Sequence, residues 1–197
     1  MPKRSQDPAR GREAVQTALL EAASDLLAEV GPRATSVRDI AARAGVNHGQ
    51  VHHYFGGKRP LLKEAMRQMA RRHFDEIRAL SQGRALPPPL ANVSDDRYWR
   101  AAVRAVIEGD MELARVEVDD GVSVTRNVLE HLTRKAGLDE PDLDIKLALA
   151  EGTAMQLGWM VLEPFLFLVA DVKPEEEELL RQRVREIAYQ TRIHRPT

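Results

Sequence analysis

The residues best suited to contacting a polyanion lie close together in this 197-residue chain: His48-Gly49-Gln50-Val51-His52-His53-Tyr54, followed by Lys58. A glutamine amide can pair bidentately with adenine N6 and N7, whereas imidazole, phenol and ammonium groups hydrogen-bond phosphate oxygens. These groups act together only if one element turns them all outward. Val51 and Phe55 are four apart and supply the inward side of a short helix, which leaves His48, Gln50, His52 and His53 facing out.

The flanking residues say how that helix is held. Gly31-Pro-Arg-Ala-Thr35-Ser36-Val37-Arg38-Asp39-Ile40-Ala41-Ala42-Arg43-Ala44-Gly45-Val46-Asn47 precedes it. Thr35 or Ser36 caps a first short helix whose Val37, Ile40, Ala41 and Ala44 face inward. Gly45 takes the positive φ of a tight turn, Val46 anchors that turn to the core, and Asn47 caps the second helix. Two short helices joined by a glycine turn, the second with a polar outer face, make a helix-turn-helix.

From about Arg12 to Leu80 the chain resembles the TetR (tetracycline-repressor) family of bacterial transcriptional regulators. The resemblance is carried by Gly31, Thr35, Val37, Ile40-Ala41, Ala44-Gly45-Val46, Gly49, Tyr54-Phe55, Lys58 and Leu61-Leu62 in order and spacing. It implies an all-α protein: an N-terminal arm and three-helix head over 1–57, a linker helix over 58–81, and a ligand-binding, dimerising body over 82–197. Its expected activity is that of a homodimeric repressor on a palindromic operator, released by a small apolar ligand. A ligand-independent DNA binder, or an activator with the same head, is the alternative. Geometry and resemblance together make Gln50 the base reader and His48 a second. Thr35, His52, His53, Tyr54 and Lys58 become phosphate contacts, and Ser36, Arg38 and Gly49 complete the DNA face. Two positions depart from the family pattern: Asn47 where Ser or Thr is frequent, and His52 where Tyr is common. The imidazole makes phosphate affinity pH-dependent in its titration range.

Composition narrows the alternatives. Hydrophobic residues are 43% and charged residues 30%, which suits a globular domain rather than a disordered chain. Zero cysteines exclude disulfides, thiolate metal sites and a cysteine nucleophile. His48 and His52 have the i,i+4 spacing of metal ligands, but no Asp or Glu on that helix completes a site, so neither metal nor cofactor is implied. The net charge of −1 conceals a split: residues 1–79 hold 14 Lys+Arg against 9 Asp+Glu, residues 80–197 hold 15 against 21. Only the front is suited to a polyanion. Lys3, Arg4, Arg10 and Arg12 form a basic arm ahead of it. No secretory or membrane segment is expected, because Gln156, Glu163 and Pro164 interrupt the apolar run from Gly152 to Ala170; a cytoplasmic protein is the reading.

The remaining chain reads as helices. A stripe of Val15, Leu19, Ala22, Leu26 and Val30 ends at Gly31-Pro32, and Leu62, Met66, Met69, Ile77 and Leu80 mark another along 58–80. Residues 82–94, with Pro87-Pro88-Pro89, form a loop, after which Asp95 or Asp96 caps a helix bearing Trp99, Val103, Val106 and Ile107. Alternating valines around Asp120-Gly121 suggest a hairpin, yet an isolated hairpin is marginal, so two helices meeting at Gly121 are expected. A helix ends at Gly137, a long one starts at Asp142 and is kinked or ended by Pro164, and a last one spans 174–192. The long helix is apolar nearly all round after Gly152. With Ala148, Gly152 and Trp159 it is expected to pair with Leu180, Val184 and Ile187 in a dimer interface. Trp99, Val103, Met111, Met155, Trp159 and Phe165 are candidates for an apolar ligand pocket. A rival enzyme reading rests on Asp119-Asp120 or on Glu108 with Asp110 as acid/base carboxylates, without a partner histidine beside them.

Overall fold

The computed structural model describes residues 8–84, 86–90 and 96–193, and among these it contains ten helices and no strand. Lys3, Arg4 and Asp95 lie outside the described residues. The first helix, α1 (Pro8–Ala34), buries Leu19, Ala22 and Leu26 as its stripe requires, but leaves Val30 exposed. Its geometry breaks at Gly31, where φ is 83° and ψ 171°, a conformation open in practice only to glycine. Two seven-residue helices follow, α2 (Val37–Arg43) and α3 (Gly49–Phe55), and then α4 (Lys58–Ser81). Leu62, Met66, Met69 and Ile77 of α4 are buried, while Leu80 is exposed.

Helix α5 (Arg97–Ile107) corrects the pattern reading. Its buried face is Tyr98, Ala101, Ala102 and Ala105, packed against α1; Val106 is exposed and Ile107 is 78% exposed. Small alanines let two helix backbones approach closely, which the larger β-branched residues on the other face would prevent. Trp99 and Val103 sit half-buried beside that face. Asp96 precedes the helix without capping it, and its carboxylate instead takes the Arg100 guanidinium at 2.7 Å. Two single turns, α6 (Met111–Ala114) and α7 (Val116–Asp119), lead to Gly121. The valine alternation therefore belongs to helical turns, as expected.

Helices α8 (Val124–Lys135), α9 (Leu143–Val169) and α10 (Glu177–Ile193) complete the chain. Asp142 caps α9 by accepting the Ile145 N–H at 2.8 Å. Pro164 does not end α9, which continues to Val169; the missing N–H leaves one carbonyl of the preceding turn without its helical donor. The last helix begins at Glu177, three residues later than expected, and Arg181 ties it to Glu163 of α9 at 2.8 Å.

The chain divides into two compact units: residues 1–73 with 95–122, and residues 74–94 with 123–197. The expected segments at 1–57, 58–81 and 82–197 do not follow this division, because α5, α6 and α7 pack with the head. In the second unit much of the apolar surface stays open. Leu143, Leu147, Val161, Phe165 and Leu168 are exposed along α9, as are Leu179 and Ile187 of α10. By length and composition alone α9 is also apolar enough to cross a membrane.

Candidate nucleic-acid interface

The helix-turn-helix is closed by hydrogen bonds that its own sequence supplies. Ser36 Oγ accepts the Asp39 N–H at 3.1 Å and caps α2. The Val46 N–H donates to Ala41 O at 3.0 Å across a turn in which Gly45 has φ +67°, where a side chain would be strained. Asn47 Oδ1 accepts the Gly49 N–H at 2.8 Å, so it holds the start of α3 from one residue further out than a standard N-cap. Ile40, Ala41 and Val51 are buried, and Val37, Ala44, Val46 and Phe55 pack against the same core. A seven-residue helix has little stability of its own; α3 persists because Val51 and Phe55 fasten one side of it.

The other side of α3 is open. His48, Gly49, His52 and His53 are exposed, and Gln50 is half-buried. Tyr54 is half-buried. It packs on the core, meets His53 edge-on at 4.7 Å between centroids, and carries the Arg12 guanidinium 5.8 Å above its face. Arg38 is exposed on α2 and Lys58 is half-buried at the first residue of α4.

Thr35 is a correction. It is 1% exposed, and its hydroxyl donates to Gly31 O at 2.7 Å, so it locks the turn ahead of α2 and shows phosphate no free hydroxyl. The Ser36 oxygen is likewise engaged in its cap.

Charge in this unit is less one-sided than the sequence count suggests. Arg59, Lys63, Arg67 and Arg71 recur every fourth residue along α4 and meet carboxylates from the 110–120 stretch. Arg59 pairs with Asp110 and Glu112, Lys63 with Glu112, and Arg67 and Arg71 with Asp120 at 2.7 and 3.1 Å. The guanidinium of Arg59 holds the Asp110 carboxyl below the usual carboxylate range, and the hydrogen bond that Arg59 donates to Asp110 in turn raises Arg59. The carboxylates of the enzyme reading are thus occupied: Asp110 and Asp120 as above, Asp119 by Arg115 at 3.1 Å, and Glu108 by the Arg33 N–H at 2.8 Å. The regular cation spacing on α4 was visible in the sequence; its acidic partners, about fifty residues away, were not.

The segment that carries this helix-turn-helix is matched by comparison with known proteins. Residues 19–65 fit the family model for bacterial regulatory proteins of the tetR family. The chain is 36% identical over 156 residues to the HTH-type transcriptional repressor Rv3405c of Mycobacterium tuberculosis, covering 79% of this chain and 77% of that one. The chain belongs to the TetR family. Its fold agrees: a TetR-family regulator from Rhodococcus sp. superposes with a TM-score of 0.58 at 18% identity, covering 91% of this chain and 98% of that one. NalD of Pseudomonas aeruginosa, the secondary repressor of a multidrug efflux pump, does so with a TM-score of 0.53 at 19% identity, over 91% and 97% of the two chains. This TetR-family chain is accordingly a transcriptional regulator with a DNA-binding helix-turn-helix.

The remaining sequence candidates divide between the two units and differ in exposure. Trp99, Val103 and Met111 belong to the first compact unit, and Met155, Trp159 and Phe165 to the second. Met111 is exposed and Phe165 is 58% exposed, so neither lines an enclosed wall in the single chain. Trp99 meets the buried His73 edge-on at 5.1 Å, with Tyr98 stacked on the same imidazole. Of the dimer candidates, Ile187 is exposed, while Ala148, Gly152, Trp159, Leu180 and Val184 are half-buried. The open stripe of α9 runs through Leu147, Ala154, Val161 and Leu168, one residue out of phase with the expected one.

Proposed function

We propose that this protein is a cytoplasmic homodimeric repressor that holds a palindromic operator through α3 of each protomer and releases it on binding a small apolar ligand. The observation that carries the DNA side is the outer face of α3, where His48, His52 and His53 stand open, with Gln50 half-buried among them, on a helix fixed from behind by Val51. Gln50 reads a base, with His48 beside it, and His52, His53, Tyr54, Arg38 and Lys58 contact phosphates. Support for a second copy comes from the bare stripe on α9 and α10. Among the described residues eleven large apolar side chains exposed along these two helices need a cover, and the spacing of three, four or seven from Leu143 through Leu147, Ala150, Ala154, Val161 and Leu168 suits another helix. Two heads held at a fixed separation then read two half-sites. A ligand releases DNA only by binding better to the DNA-incompetent arrangement.

The mass of the purified protein in solution, measured by light scattering for the wild type and for V161E, tests the assembly. The expected result is a dimer for the wild type and a folded monomer for V161E with weakened operator binding. A monomeric wild type that still binds a palindrome tightly would refute the assembly.

A further inference from the structure

Arg104, Glu108, Asp110 and Glu112 lie within nine residues of sequence, and they grip the two points where the helix-turn-helix joins the rest of the first unit. At the upstream junction the Arg33 N–H donates to Glu108 Oε2 at 2.8 Å, and Arg104 Nε donates to Ala28 O at 3.0 Å. Gly31 lets this happen: a Cβ there would stand 2.2 Å from Glu108 Oε1. The Gly31 carbonyl then accepts the Thr35 hydroxyl at 2.7 Å, next to the Ser36 cap of α2.

At the downstream junction Arg59, in the first turn of α4, donates Nη2–H to Asp110 Oδ1 at 2.7 Å and Nε–H to Glu112 Oε2 at 3.1 Å. Its other terminal nitrogen pairs with Asp110 Oδ2 at 2.5 Å, making a two-pronged contact. Asp110 is itself fixed, since its Oδ1 also accepts the Leu113 N–H at 3.2 Å and caps α6. Only Gly109 separates Glu108 from Asp110. One turn of chain therefore contacts residue 33 and residue 59 together, and α2, the turn and α3 lie between them.

We infer that the Glu108–Asp110 turn is a clamp that fixes the posture of the helix-turn-helix, and that Glu108 and Asp110 are positioning residues for operator recognition. The inference rests on the DNA-binding reading of α3. Neither carboxylate needs to touch DNA. Partly exposed ion pairs add little to global stability, whereas a recognition helix that shifts relative to the groove loses its base contacts while keeping its phosphate attraction. Arg59 also adjoins Lys58, so loosening Asp110 displaces a phosphate contact as well as the helix ahead of it.

The test compares affinity for the selected operator with affinity for an unrelated duplex of equal length, at fixed salt, alongside the melting temperature. Glu108→Ala and Asp110→Asn are each expected to lower the ratio of specific to non-specific affinity by about tenfold, because misplacement costs base contacts and spares phosphate contacts. Glu108→Gln keeps an oxygen to accept the Arg33 N–H and is expected to restore most of that ratio. Hydrogen exchange at the Arg33 amide should quicken in Glu108→Ala and stay slow in Glu108→Gln. A lowered melting temperature with an unchanged affinity ratio in both Glu108→Ala and Asp110→Asn would overturn the clamp and leave the DNA reading standing. Failure of the wild type to select any operator would overturn both.

Discussion

Gln50 and Val51 are neighbours on α3, about 100° apart around its axis, one half-buried and one fully buried, so replacing each by alanine should give different signatures. Val51 is fully buried in the head core. Val51→Ala removes two methyl groups at about 0.8 kcal/mol each and adds a cavity term, for a loss of about 2 kcal/mol. In a domain of this size that lowers the melting temperature by about 4–8 °C. Operator binding by the protein still folded should fall too, because α3 is too short to keep its shape without that anchor. Gln50 is half-buried, and among the described residues no hydrogen bond engages its amide. Gln50→Ala should therefore leave the melting temperature within about 2 °C, since surface changes stay within about 0.5 kcal/mol. Losing one bidentate base contact should instead cost about 1–3 kcal/mol at the preferred site and flatten preference at one position of each half-site. The assay is thermal unfolding of both variants, with binding to a set of operators substituted one base pair at a time. A Gln50→Ala protein that melts several degrees lower and keeps its base preference would refute the assignment of inner and outer faces.

Three further outcomes follow from the same contacts. Gly31→Ala should destabilise by about 1–3 kcal/mol in chemical denaturation, since φ +83° with ψ 171° is a glycine conformation and a Cβ would collide with Glu108; a wild-type midpoint would show that the turn can rearrange freely. Arg59 lowers the pKa of Asp110 in the folded state, so this pair stabilises above the unfolded carboxyl pKa of about 3.9 and is lost as pH falls through the lower folded value. The difference in melting temperature between wild type and Asp110→Asn should accordingly close as pH drops from 6 toward about 3, and a gap that persists would assign it to another cause. His52 stands exposed on α3, so His52→Ala should weaken binding to the operator and to an unrelated duplex alike, leaving base preference intact. Unchanged affinity for both duplexes would remove His52 from the interface.

The head was legible because its signals are local. Ser36, Gly45, Asn47 and Val51 each act within four residues, and the structure finds the cap, the turn, the second cap and the anchor where those residue types put them. Thr35 misled because its hydroxyl serves either a nearby carbonyl or an anion, and sequence spacing cannot tell the two apart. The placement of α5 was illegible for a different reason. A pattern of Val103, Val106 and Ile107 outweighs alanines on any hydrophobicity count, yet close packing against α1 selects the small face of Ala101, Ala102 and Ala105. Contacts across long separations, such as Arg33 with Glu108 or Arg59 with Asp110, leave no local periodicity. On α9 the apolar excess was plain, but which residues stand open depends on how α8 and α10 pack against it.

The central claim, sequence-specific recognition by a dimer, is tested most directly by selecting bound fragments from random duplex DNA with the purified protein at fixed salt and sequencing them. The account predicts enrichment of a palindrome whose two half-sites are each contacted by one α3, with preference at the Gln50-contacted position lost in Gln50→Ala. Folded protein that enriches no sequence, or enriches a single asymmetric site with a stoichiometry of one chain per duplex, would contradict it.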